Sequence, residues 1–214
     1  MSGPTDSGPV VLAGLDLAAL LCSRVCHDLI SPVGAIVNGL EVLDEDKDEE
    51  TRTFALELIK KSARQASARL QFCRLAFGAA GSAGAQIETG DAENAARGLI
   101  EDDKTKIAWN LPRELKPKNQ VKLLLNMLII GAGTIPRGGT LTVDPIEGAA
   151  GFRVTAAGLN ARLTPATVEL LGGSPAQTVD AHGIQPFYTG LLARDCGFAV
   201  TAAPEGESIV VTAR

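Results

Sequence analysis

Two apolar seams, each stepping by three and four residues, constrain this chain more than any other feature. The first runs through Ala19, Cys22, Cys26, Leu29, Val33, Ile36, Leu40 and Leu43, the second through Leu56, Ile59, Ala63, Ala66, Leu70, Cys73 and Phe77. That period belongs to one face of an α-helix. A polar, acidic stretch at residues 44–50 separates the seams, so the pattern predicts a helical hairpin. Two helices alone cannot bury stripes of this length, whereas two hairpins packed together can, as a four-helix bundle. A homodimer is therefore expected. Three of the four cysteines fall on the seams with no C-x-x-C pair, and they read as small core residues of a reducing compartment.

The small-residue run at 78–84 reads as a linker. It divides the chain into a hairpin over residues 15–78 and a second domain over 84–214. In the second domain the expected order is a short strand near Ile87, a helix capped by Asp91 and running to Leu99, a strand at 107–111, and a helix from Pro117 to Ile130. Strands at 140–146 and 151–157 follow, then a helix opened by Thr164-Pro165, a helix at 185–196, and a hairpin of strands at 198–203 and 208–212. Interleaved strands and helices with hairpin turns predict an α/β sandwich with a mixed sheet. The fold class is α+β, a bundle-forming hairpin followed by this sandwich.

With 214 residues and 45% hydrophobic content the chain can bury a sizeable core. A net charge of −5 argues against a general nucleic-acid binder, which needs a basic surface to offset phosphates. No uncharged apolar run reaches the roughly 18–20 residues of a membrane span, and the first residues lack the basic flank of a secretory signal. A cytoplasmic protein without membrane contact is expected.

His27 is one of two histidines, and it stands in Cys26-His27-Asp28-Leu29-Ile30-Ser31-Pro32. At about 100° per residue it lies roughly 160° from Leu29, so the imidazole should point away from the seam. A histidine followed by an acid, an aliphatic residue and a proline inside a helix resembles the phosphoacceptor box of two-component histidine kinases. The stretch Asn126-Met127-Leu128-Ile129-Ile130-Gly131-Ala132-Gly133-Thr134-Ile135-Pro136-Arg137-Gly138-Gly139 keeps the spacing of those kinases' asparagine box. Ile130 and Gly133, however, stand where the second asparagine and the lysine belong. In Ala156-Ala157-Gly158-Leu159-Asn160, Ala156 takes the place of the aspartate that would accept from adenine, and only the segment from His182 to Pro186 is left of the phosphate lid. Fold signals thus survive while the ATP-binding chemistry does not, a combination that resembles the ChpT-type histidine phosphotransferase family of alphaproteobacteria.

The resemblance implies a phosphorelay intermediate: His27 accepts a phosphoryl group from the receiver domain of a hybrid kinase and passes it to receiver aspartates of response regulators. It implies no bound cofactor or metal of its own, Mg²⁺ being supplied by the partner receiver. A histidine nucleophile attacks through an unprotonated ring nitrogen, and an ordinary imidazole, pKa about 6.5, is mostly unprotonated at pH 7. Asp28 would orient the ring, and Arg24, one turn earlier, would meet phosphoryl oxygens. Ile30, Ser31, Gly34, Val37, Asn38 and Glu41 on the same outer face form the expected docking surface, with Lys60, Lys61 and Arg64 of the second helix at its rim. Two other readings stay open: an active ATP-dependent kinase, and a scaffold or inhibitor that docks on receivers without using His27.

Overall fold

The computed structural model describes residues 11–78, 84–173, 179–181 and 183–214. Helix α1 (Gly14–Glu45) and helix α2 (Glu49–Ala76) form the hairpin. Asp48 caps α2, its carboxylate accepting from the Thr51 amide at 2.9 Å, and that contact holds the Asp48 carboxyl below the usual carboxylate range. Arg52 fastens the turn by donating to the carbonyls of Leu43 and Asp46. Gly39 sets the helix spacing, because a Cβ there would stand 2.7 Å from Ile59 Cγ1 and 3.3 Å from the Ala55 carbonyl oxygen.

The seams are only partly covered within one chain. Pro32 and Gly39 of α1 and Ala55, Ser62, Phe72 and Ala76 of α2 are buried, and the inward face runs along them. Val33, Leu40, Leu56 and Leu70 lie on the flank of that face and are about half exposed. Cys22 and Cys26 are exposed and Cys73 and Cys196 half-buried, which corrects the expectation of core cysteines: the seam angle was right, but its edge faces outward here. α1 is also long and apolar enough to cross a bilayer by composition, a closer approach to a span than its sequence suggested.

The second domain is a two-layer sandwich. Its five-stranded sheet has the order β2-β4-β5-β7-β6, with β2 (Thr105–Trp109) parallel to β4 (Gly139–Pro145) and the other pairs antiparallel: β5 (Phe152–Ala157), β6 (Val200–Glu205) and β7 (Ser208–Ala213). Helices α3 (Thr89–Ile100), α4 (Lys118–Thr134), α5 (Pro165–Gly172) and α6 (Ile184–Asp195) complete it. A two-stranded pair joins β1 (Gln86–Glu88) to β3 (Leu115–Pro117). α4 is apolar nearly all round because it is enclosed: Leu123, Leu124, Leu125, Met127 and Leu128 are fully buried between the sheet and the other helices. Leu141, Val143, Val154 and Val211 meet them from the sheet.

The two parts share one core. Phe72 and Ala76, the last buried residues of α2, belong to the cluster built on α4 and the sheet. At the same open end of the hairpin, Leu17, Leu20 and Leu21 of α1 pack on Leu170, Ile184 and Phe187.

Three local expectations change. α3 begins at Thr89, two residues before Asp91, because the Thr89 amide donates to the Glu114 carbonyl and its hydroxyl to the Pro112 carbonyl. α4 continues past Ile130 to Thr134, since Gly131 is a packing position: a Cβ there would meet Leu141 Cδ2 at 3.1 Å and Val154 Cγ1 at 3.2 Å. Strand β2 stops at Trp109 and leaves Leu111 buried beside Pro112. The core of the small-residue linker and His182 lie outside the described residues.

Candidate functional site

The outward face of α1 carries the site. His27 is 79% exposed at its side chain, with Nδ1 3.4 Å from Asp28 Oδ1, longer than a typical hydrogen bond. With the proton on Nδ1 this contact leaves the Nε2 lone pair facing solvent. Asp28 is itself held: Arg24 Nε donates to Asp28 Oδ2 at 3.0 Å, and both side chains are about one quarter exposed. The three residues form a chain in which a guanidinium fixes a carboxylate and the carboxylate stands beside the imidazole. Arg24 Nε is thus paired with Asp28.

Ile30, Ser31, Val37, Asn38 and Glu41 are all exposed on α1, and a Cβ at Gly34 would meet nothing within 4 Å. These positions share an open surface with His27. Lys60, Lys61 and Arg64 line a separate shallow groove on α2 with Glu57 and Gln65, and no residue of α1 contributes to it. The structure does not bring them into one cavity with the imidazole. The Cys73 thiol of α2 is pushed up first by burial and then by the Asp28 carboxylate of α1, while Arg24 and Arg69 act in the opposite direction. Asp28 and Arg24 thus act on a residue of the second helix, a relation across the hairpin that the local sequence could not reveal.

Two cavities adjoin this face. One is small and is lined by Arg24, His27, Asp28 and Ala181. The other, of about 200 Å³, lies where α4, α5 and α6 meet and includes Ile130, Gly133, Arg162, Gln185 and again Arg24. The latter contains the asparagine-box positions, so it is the place to test for ATP. The residues present do not fit it. Ile130 offers a hydrocarbon in place of a metal-binding amide and Gly133 no cation, and Ala156 is fully buried on β5, paired with Leu141 and Ile209. Asn126 is committed elsewhere, donating to the carbonyls of Ala76 at 3.1 Å and Lys122 at 2.7 Å. It is a buried structural amide. Among the described residues no cluster of three or more His, Cys, Asp and Glu could hold a metal.

Comparisons with known proteins agree with this arrangement. Residues 89–208 match the family model described as the histidine phosphotransferase C-terminal domain. The chain is 54% identical over 209 residues to the protein phosphotransferase ChpT of Brucella abortus (strain 2308), covering 96% of this chain and 98% of that protein. A solved structure of a bacterial phosphotransferase superposes with a TM-score of 0.84 at 50% identity, over 97% of this chain and 100% of that one. With a histidine-bearing hairpin joined to an α/β sandwich, and with relatives this similar over almost its full length, the chain belongs to the histidine phosphotransferase family.

Proposed function

We propose that this protein carries phosphoryl groups between receiver domains in a His-Asp phosphorelay, with His27 as the transient acceptor. One observation carries the reading: the imidazole is 79% exposed at its side chain and flanked by Asp28 on the outward face of α1. An aspartyl phosphate of a visiting receiver is attacked in line by Nε2, forming a nitrogen–phosphorus bond as the acyl phosphate oxygen–phosphorus bond breaks and the carboxylate leaves. The reverse step hands the group to the next receiver. The receiver contributes Mg²⁺ and its own lysine, so the protein needs only a correctly held nucleophile. Asp28 orients the ring and offsets the positive charge that develops on it, and Arg24 keeps Asp28 in place. Gly34 lets a partner's backbone come close, and Ile30, Ser31, Val37, Asn38 and Glu41 surround it, with Lys60, Lys61 and Arg64 at the rim.

The lost ligands at Ile130, Gly133 and Ala156 support a relay that takes no phosphate from ATP and holds no cofactor. The half-exposed Val33, Leu40, Leu56 and Leu70 support pairing of two hairpins, and that pairing accounts for the apolar character of α1 without a bilayer. A cytoplasmic location follows from this reading.

Label transfer tests it. Purified protein incubated with γ-labelled ATP alone should stay unlabelled, a phosphorylated receiver domain should transfer acid-labile label to it, and His27→Ala should accept none. Label from ATP alone would establish a kinase, and unimpaired signalling by the variant in cells would establish a scaffold.

A further inference from the structure

We propose that the hollow walled by Arg24, His27, Asp28 and Ala181 holds the phosphoryl group on His27 between the visits of receiver domains, with Arg24 as the cation that binds it. How the group arrives rests on the phosphotransfer reading. A receiver brings Mg²⁺ and a lysine to neutralise the group in transfer, and both depart with it. The phosphohistidine left behind carries about two negative charges, as other phosphoryl-bearing side chains do. It stands beside the Asp28 carboxylate, whose Oδ1 is 3.4 Å from His27 Nδ1. Like charges this near repel, so a cation of the chain's own stabilises the waiting state. Among the residues that wall the hollow, Arg24 is the one permanent cation.

The shape of the guanidinium lets one residue serve both anions. Its Nε donates to Asp28 Oδ2 at 3.0 Å, which occupies one edge of the planar group. The two Nη nitrogens have no hydrogen-bond partner among the described residues, and neither is shut away from solvent. Arg24 precedes His27 by three positions, so the two side chains rise from neighbouring places on one helix face. The outer edge of the fork is therefore available to phosphoryl oxygens while the inner edge keeps the carboxylate. A lysine has one ammonium and no second edge.

The second domain supplies the remaining wall. Ala181 lies just before α6 and borders the hollow from the sandwich. Its neighbour Val179 joins Leu17, Leu20 and Leu21 of α1 against Leu170, Ile184 and Phe187, which brings the 179–181 segment up to the histidine helix. Ala181 adds a methyl and no charge. The hollow, of about 160 Å³, far exceeds the roughly 10–15 Å³ of such space that one water needs, so three phosphoryl oxygens fit.

Phosphoramidate, a small donor that needs no receiver, tests the site on the full chain. Its nitrogen–phosphorus bond breaks and ammonia leaves as the bond from His27 Nε2 to phosphorus forms. Labelled phosphoramidate should mark the unaltered chain and leave His27→Ala unmarked at that site; no label on His27 would overturn the proposal. At pH 8 an ordinary imidazole is unprotonated with or without a cation nearby, so rates report on the phosphoryl group. An Arg24 that only holds Asp28 loses its effect once residue 28 is uncharged. In the Asp28→Asn chain, Arg24→Ala should therefore slow labelling at least about a further tenfold, the worth of one charge-assisted hydrogen bond, and equal rates would overturn the site. Circular dichroism checks the fold of both variants, and NMR of the unaltered chain decides without them. On phosphorylation the Arg24 Nη–H signals should sharpen, shift and show coupling to phosphorus across the hydrogen bond; signals that do not respond would overturn the contact. If these results hold while no receiver passes label to His27, the phosphotransfer reading fails and the phosphoryl site stands. Label from receivers with no Arg24 effect fails the site alone.

Discussion

Asn126 donates from Nδ2 to the carbonyl oxygen of Ala76, the last residue of α2, at 3.1 Å, and so fastens the histidine-bearing hairpin to the middle of α4. Asn126→Ala leaves the Ala76 carbonyl and the Gln185 amide without this partner. The expected loss is about 2–4 kcal/mol, from two buried groups at roughly 1–3 kcal/mol each, less some relaxation. Urea unfolding followed by circular dichroism measures it, and a change within error would mean the contact is ornamental.

Gly39 and Gly34 lie on the same helix and should respond oppositely to alanine. At Gly39 the added methyl meets Ile59 and the Ala55 carbonyl, so a net destabilisation of about 1–2 kcal/mol is expected despite the better helix propensity. At Gly34 the space is open, so alanine should stabilise the isolated protein by up to about 1 kcal/mol while slowing transfer from a receiver. Equal transfer rates in Gly34→Ala and the unaltered chain would remove Gly34 from the docking surface.

Leu70 is 52% exposed on the flank of the second seam. A charge there should not disturb the hairpin's own contacts but should oppose pairing of two copies. Light scattering coupled to size exclusion should report a dimer for the unaltered protein and a monomer for Leu70→Glu. Two monomers would refute the bundle.

Asp28→Asn keeps the shape of the side chain and removes its charge. Loss of the group that orients the imidazole and balances its charge should lower the single-turnover rate about 10²-fold, the lower end of what a positioned acid or base contributes. The thermal midpoint should move by no more than about 3 °C, because the Arg24 pair is partly solvated. A rate unchanged by the substitution would leave His27 working alone.

The Cys196 thiol, half-buried and next to the Asp195 carboxylate, is pushed up to about 11, burial being the larger cause. A folded thiol that resists ionisation stabilises the native state fully below the unfolded thiol's pKa of 9.0, and that contribution is lost as pH rises from there through about 11. The drop in thermal midpoint between pH 8 and about pH 10.5 should therefore be smaller in Cys196→Ala than in the unaltered chain. Parallel curves would show that the thiol plays no part.

Periodicity made much of this molecule legible before its structure. A three-four pattern survives in any helix that buries one side, so the seams located α1 and α2, and the turn at 147–150 marked off the antiparallel strands β4 and β5. Partnerships distant in sequence were not legible. β3 is three residues ending at Pro117, recognisable only by its pairing with β1, and Thr89 starts α3 because residues 112–114 reach back to it. At the site, His27, Asp28 and Arg24 are neighbours on one helix, and helical geometry was enough to group them. Gln185 belongs to another element, and only tertiary packing brings it to the cavity that Arg24 also lines.

Phe72 and Ala76 are wholly enclosed by the sandwich although they belong to the hairpin, which turns α2 into a strut rather than a tether. A domain that had to ferry ATP to the histidine would need a joint at this place. With the joint filled by side chains, whatever protein visits His27 meets the same relief at every encounter, and choice among visitors becomes a matter of contour instead of timing.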